Sequence, residues 1–215
     1  MPEHSTPIPG ASPMAVRLTG LAAIVAPLLL LASTVGYVTD GNGINDGHVG
    51  GTFGVWSCFA FLLALVGIHR MVEPVAPRAA PIWMAVVAIG AAAGVGFNID
   101  AILAADFGRE AVDAVGEESP LVLLAYLPWG LFFPIGLVGT GVLLWRTRVV
   151  PHLTAALVVA GGLLFVASRP PRIDPLAVFG DCVLVLAFAP IGWALLTGRR
   201  LVRIAAPGVA ASAAA

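Results

Sequence analysis

Six long apolar stretches, separated by short polar segments, make up most of the sequence. An α-helix needs about 20 apolar residues to cross the roughly 30 Å hydrocarbon core of a membrane, because it rises about 1.5 Å per residue. A membrane β-barrel would show alternating apolar and polar positions instead. The pattern therefore predicts an all-α bundle of six transmembrane helices, at about residues 15–38, 52–72, 81–105, 120–146, 151–168 and 175–197.

The two ends of the sequence do not share this apolar periodicity. Residues 1–14 are rich in proline and polar side chains, and residues 205–215 are mostly alanine, so we expect both to be disordered tails. The first apolar stretch has no basic segment before it and is long enough to span, which is not the pattern of a cleavable signal peptide. We expect residues 15–204 to form one transmembrane domain.

Composition supports a membrane location. Hydrophobic residues make up 59% of the chain and charged residues only 11%, whereas a soluble domain carries about 25% charged residues. All 11 basic residues are arginine, and the absence of lysine excludes a Schiff base with retinal or pyridoxal phosphate and a P-loop. A net charge of -1 and the scattering of the arginines argue against nucleic-acid binding.

The distribution of arginines predicts the orientation. Cytoplasmic segments of membrane proteins carry an excess of basic residues. With both termini in the cytoplasm, Arg109, Arg169 and Arg172 lie outside, and the cytoplasmic side holds all the others: Arg17, Arg70, Arg78, Arg146, Arg148, Arg199, Arg200 and Arg203. We expect a multi-pass protein of the cell membrane, of the bacterial inner-membrane type, with the lipid bilayer as its surroundings.

Four charged residues interrupt the apolar pattern near the outer side. Asp100 and Asp181 lie roughly 7–10 Å inside the outer ends of the third and sixth predicted helices. Carboxylates at such depth are costly and usually face a bundle interior or a watery cavity. Arg169 and Arg172 lie close by, and a guanidinium pairs with a carboxylate or phosphate at two points. These residues predict an outward-facing polar pocket.

Two roles are open for these charges. In a catalytic site, Asp100 and Asp181 would act as general acid and base, while Arg169 and Arg172 would bind an anionic group or stabilise developing negative charge. In the other interpretation each carboxylate only pairs with an arginine and fixes helix packing.

Three more residues are candidates for substrate binding in the pocket. Tyr126 and Trp129 lie near the outer end of the fourth predicted helix, where an aromatic belt is common and where they would also line a pocket. Asn98 is two positions from Asp100, so the two point to nearly opposite sides of a helix. We expect Asp100, rather than Asn98, to face the pocket squarely.

The segment 105–119 has a helical rhythm of charged residues and predicts a short amphipathic helix at the outer interface. Its charged side, which includes Arg109, is interpreted as a solvated face, with a lid over a cavity as the alternative.

Metal and cofactor chemistry has little support. The histidines are in loops or at helix ends, whereas a transmembrane haem needs axial ligands deep in the bundle. Cys58 and Cys182 form no CxxC or zinc pattern, and we interpret them as small packing residues, with a disulfide as the alternative. We predict no metal and no cofactor.

The pocket favours a protein that binds a lipophilic small molecule, with cyclisation, isomerisation or hydrolysis of that molecule by acid/base chemistry as an extension. Intramembrane carboxylates also serve as proton relays, so a proton- or ion-coupled transporter is one alternative. A non-catalytic structural or sensory subunit is the other.

Overall fold

The computed structural model describes residues 12–119, 121, 124, 125 and 127–198, which are helical with short connections and contain no strand. Apart from residues 12–14, the two predicted tails lie outside this range. Seven α-helices have both ends within the described residues, and a 3-10 segment, Leu127–Trp129, precedes the fifth: α1 (Pro13–Asp40), α2 (His48–Val72), α3 (Ala79–Phe107), α4 (Arg109–Glu118), α5 (Phe132–Thr147), α6 (His152–Ser168) and α7 (Asp174–Thr197).

Among the described residues, five segments are long and apolar enough to cross a membrane: α1, α2, α3, the stretch 127–147 that contains α5, and α7. The remaining long helix, α6, is also apolar but has only 17 residues. The chain is therefore a helical, multi-pass membrane protein, as the apolar pattern predicts. The short α4 confirms the helix expected within 105–119.

The prediction of one continuous helix over 120–146 is wrong at residues 127–131, which form a 3-10 helix followed by a turn. Pro134 explains the break, because a proline removes the hydrogen bond to the carbonyl four residues earlier and its ring clashes with that carbonyl. That carbonyl belongs to Gly130, and regular α-helix begins only at Phe132.

The six long helices form a closed ring in chain order. Each packs on the next, with α5 following α3, and α7 packs back on α1. Glycines let the closing pair approach, since a Cβ on Gly192 of α7 would lie 2.5 Å from the carbonyl oxygen of Gly20 in α1. Close backbone contact of this kind is a main source of helix association in lipid.

At one end of the ring, the loop between α1 and α2 forms hydrogen bonds with α3 and α7. The Gly47 amide donates to the Ala101 carbonyl at 3.2 Å, and the Ile44 amide donates to Asp174 Oδ1 at 3.3 Å. We call this the outer end, after the predicted orientation, and the opposite end the inner end.

The inner half of the ring is packed with apolar side chains. Towards the end where α2 finishes and α3 begins, fully buried residues come from α2, α5 and α7: Leu65, Ile68, Val72, Leu144 and Ile191. The buried His69 lies among them, with Nδ1 2.7 Å from the Leu65 carbonyl and Nε2 3.2 Å from Thr140 Oγ1. The outer half, where the site lies, also has buried side chains, among them Tyr37, Ile44 and Ala101, but it contains a cavity as well.

Gly90 is a point of close approach between α3 and α5. A Cβ there would lie 2.1 Å from the backbone nitrogen of Phe133, which cannot turn away. We expect Gly90→Ala to lower the free energy of unfolding by about 1–3 kcal/mol, because the two helices must separate. The measurement is the Tm of the purified protein in a neutral detergent.

Gly94→Ala is the matched control, one turn further along α3. Its Cβ would meet Cys58 Sγ at 2.8 Å, and this side-chain atom can rotate away. The control should lose clearly less stability, and an equal loss in both variants would contradict the close contact at Gly90.

Candidate functional site

A cavity of about 570 Å³ occupies the outer half of the ring. This volume falls within the range of roughly 300–1,000 Å³ that is usual for small-molecule sites. Its apolar side includes Phe61, Phe133 and Phe165, whose rings pack edge to face with centroids 5.2 and 5.3 Å apart. We call these three residues the phenylalanine floor. The cavity is thus mainly apolar, with charged groups at separate positions on its wall.

Arg169 is the first of these charged groups. It caps the C-terminus of α6, and its Nη2 donates to both carboxylate oxygens of Asp181 and to Thr34 Oγ1, each at 3.0 Å. The Thr34 hydroxyl in turn donates to Asp181 Oδ2 at 2.5 Å. The guanidinium also lies over the Phe165 ring, 4.4 Å from its centroid.

The short length of α6 explains why Arg169 reaches so deep. Asp181 lies about 10 Å along α7 from its first residue, by the rise of an α-helix. Because α6 ends at Ser168, Arg169 meets Asp181 at that depth, before the chain returns to the outer end at Asp174. Only 8% of Arg169 and 2% of Asp181 are exposed.

Arg169 lines the cavity, whereas Asp181 is not among its lining residues. Within the described part of the chain, Arg169 hydrogen bonds through Nη2 alone, which leaves Nη1 without a bond and Nε buried without a partner. Nη2 thus fixes the guanidinium against Asp181 and Thr34, while the Arg169 side chain as a whole forms part of the cavity wall.

Asp100 forms a second ion pair, with Arg109. Arg109 Nη1 lies 2.7 Å from Asp100 Oδ2, and Nη2 donates to the Asn45 carbonyl. Both side chains are one-fifth exposed, and both line the cavity. Gly108, with a φ of 86°, separates α3 from α4 and turns Arg109 back towards Asp100. The interpretation of the charged side as a solvated face holds for Asp106, Glu110 and Asp113, which are exposed, but is wrong for Arg109.

Asn98 also lines the cavity, next to Asp100. It accepts a hydrogen bond from the Tyr37 hydroxyl at 2.9 Å, and its Nδ2 donates to the Gly94 carbonyl at 2.7 Å. The same nitrogen lies 3.7 Å from Cys58 Sγ. The expectation that Asp100 rather than Asn98 faces the cavity is wrong, because the lining face of α3 is broad enough to have Asn98 at one edge and Asp100 at the other.

The other predicted site residues lie in different places. Arg172 lines the cavity, is exposed, and forms no ion pair within the described residues. Trp129 is not among the lining residues, and its Nε1 donates to the Leu124 carbonyl at 3.1 Å. Tyr126 lies outside the described residues.

The two cysteines are both free, so the disulfide alternative is wrong. Cys58 of α2 lines the cavity, while Cys182 of α7 is exposed. This difference makes Cys58 a natural reporter of the cavity.

No protein-family model, curated protein or solved structure matches the chain. The geometry of the cavity therefore carries the functional interpretation by itself.

Proposed function

We propose that the chain is a six-span protein of the cell membrane, with both termini in the cytoplasm, whose outward-facing cavity binds a lipophilic small molecule that carries an anionic group. The distribution of charge supports the orientation, because the outer end holds only Arg109, Arg169 and Arg172 of the described arginines. Besides the five segments named above, α6, the fifth in chain order, is the remaining span, and its 17 residues cover about 25 Å.

The observation that carries the proposal is the pairing of an apolar floor with guanidinium groups in one cavity. The phenylalanine floor suits the lipophilic part of a ligand. Arg172 and the cavity side of Arg169 suit an anion, because a guanidinium binds carboxylate or phosphate through several donors.

For acid/base chemistry on the bound molecule, we assign proton transfer to Asp100, because it lines the cavity. We assign Asp181 a different part from the one that the sequence suggests. It is a positioning residue, which holds Arg169 together with the Thr34 hydroxyl. This division keeps one carboxylate for chemistry and one for structure.

The packed inner half favours binding or catalysis over transport. A transporter needs access to its site from both sides of the membrane, and buried apolar residues fill the ring on the inner side.

The test uses Cys58 as a reporter in a Cys182→Ala protein, reconstituted in phosphatidylcholine vesicles. Dodecyl phosphate should slow the modification of Cys58 by methyl methanethiosulfonate, about tenfold when present at ten times its Kd. Dodecyltrimethylammonium, of the same chain length and opposite charge, is the matched control and should protect far less. Equal protection by both amphiphiles, or by neither, would overturn the proposal.

A further inference from the structure

In the ring, the stretch 127–147 lies between α3 and α6, and only its inner part, α5, is regular α-helix. The approach of Gly90 to Phe133 places the start of α5 near the middle of α3. Closer to the outer end, the described residues between α3 and α6 include the 3-10 segment and the turn that follows it. Leu127, Gly130 and Leu131 of this stretch line the cavity. Irregular backbone at membrane depth is tolerated where it is buried in protein or lines a cavity.

Helix α6 lies next to this stretch, since a Cβ added at Gly162 would lie 2.9 Å from the Pro134 carbonyl oxygen. Val166 is one helical turn from Gly162 towards the outer end. Leu131 and Val166 both line the cavity, and yet they are 52% and 41% exposed. On a membrane-spanning chain, exposed apolar side chains at this level face lipid. We call Leu127, Leu131 and Val166 the side slot, since they border the cavity and the lipid at once.

The cavity has a charged outer end and an apolar inner end. Arg172 lies at its exposed outer end, and the phenylalanine floor lies deeper. A ligand with its anionic head at Arg172 and its chain on the floor would satisfy both. The volume of about 570 Å³ is that of a pocket for a drug-sized ligand, which a single-chain amphiphile matches and a two-chain phospholipid exceeds.

We infer that the ligand is a single-chain anionic amphiphile, with a carboxylate or phosphate head, that enters sideways from the outer leaflet through the side slot and binds with its chain on the phenylalanine floor. This inference rests on the proposed function and adds the ligand class, the route and the bound orientation.

The experiment uses two photoreactive probes in phosphatidylcholine vesicles, a hexadecanoate and a hexadecyl phosphate, each with a diazirine near the end of its chain. After brief illumination, cross-linked peptides are mapped by mass spectrometry. Wild-type protein should cross-link around Phe61 and Phe133. Val166→Trp should slow the appearance of these products about tenfold or more, within the range in which mutations change association rates.

Leu163→Trp is the matched control, because Leu163 lies on the same helix, is 58% exposed, and does not line the cavity. It should leave the cross-linking rate unchanged. Leu131→Trp closes the slot from the other side and repeats the test if Val166→Trp fails to fold. The probe that cross-links the floor identifies the head group.

Unchanged rates in the folded slot variants would overturn the sideways route. Cross-links restricted to lipid-facing positions such as Leu163, while dodecyl phosphate still protects Cys58, would overturn the bound orientation and leave the proposed function standing. Loss of both the floor cross-links and the Cys58 protection would overturn the inference and the proposed function together.

Discussion

Arg169→Met is expected to lower the free energy of unfolding by about 3–5 kcal/mol, because it leaves the Asp181 carboxylate buried without its cation. Asp181 is 2% exposed, so water cannot replace the lost guanidinium. The Thr34 hydroxyl still donates one hydrogen bond but carries no charge. The measurement is the Tm of the purified variant against wild type in a neutral detergent.

Two variants serve as controls. Arg172→Met removes an exposed arginine that has no ion pair among the described residues, and it should change stability by only about 0.5 kcal/mol or less. The double variant of Arg169→Met and Asp181→Leu should regain much of the lost stability, since apolar residues often replace a buried pair without loss. If the Arg169→Met and Arg172→Met variants had the same Tm, the result would contradict the positioning role of Asp181.

Arg172→Glu should weaken the binding of dodecyl phosphate about 10- to 100-fold. A hydrogen bond to a charged group contributes about 1.5–3 kcal/mol, and the reversed charge adds repulsion. The readout is the concentration that half-protects Cys58 in the Cys182→Ala background. Because Arg172 is exposed, its Tm should stay close to that of the parent.

Arg148→Glu is a closely matched control for this charge reversal. Arg148 is also exposed and has nearly the same φ, 55° against 56° for Arg172, but it lies at the inner end. Equal weakening in both variants would indicate a long-range effect of net charge, and unchanged binding in Arg172→Glu would remove this residue from the anion site.

The sequence predicts the helical membrane fold because apolar length is a local property that each stretch carries by itself. It misplaces the fourth span because the run stays apolar through residues 127–131, and hydropathy does not detect a break in the backbone. Pro134 was visible in the sequence, but only the packing of Phe133 on Gly90 shows where the regular helix starts.

The site is predictable only in part, for a related reason. Unusual depth identifies Asp100 and Asp181 as residues that need a polar partner, but it does not say which arginine each one meets. Asp100 pairs with Arg109, nine positions along the chain and beyond Gly108. Gly108, directly before Arg109, is the residue in the sequence that indicates a helix break there. The regular spacing of charged residues over 105–119 favours one continuous helix instead and hides this break.

The proposed outward opening of the cavity is tested most directly by the side from which Cys58 can be modified. The Cys182→Ala protein, in membrane vesicles of known orientation, is treated with the membrane-impermeant anionic reagent (2-sulfonatoethyl) methanethiosulfonate. Because Cys58 lines the cavity of the outer half and the inner half is packed, we predict modification from the outer side and none from the cytoplasmic side. Modification from the cytoplasmic side, from both sides, or from neither would contradict an outward-facing, water-accessible cavity.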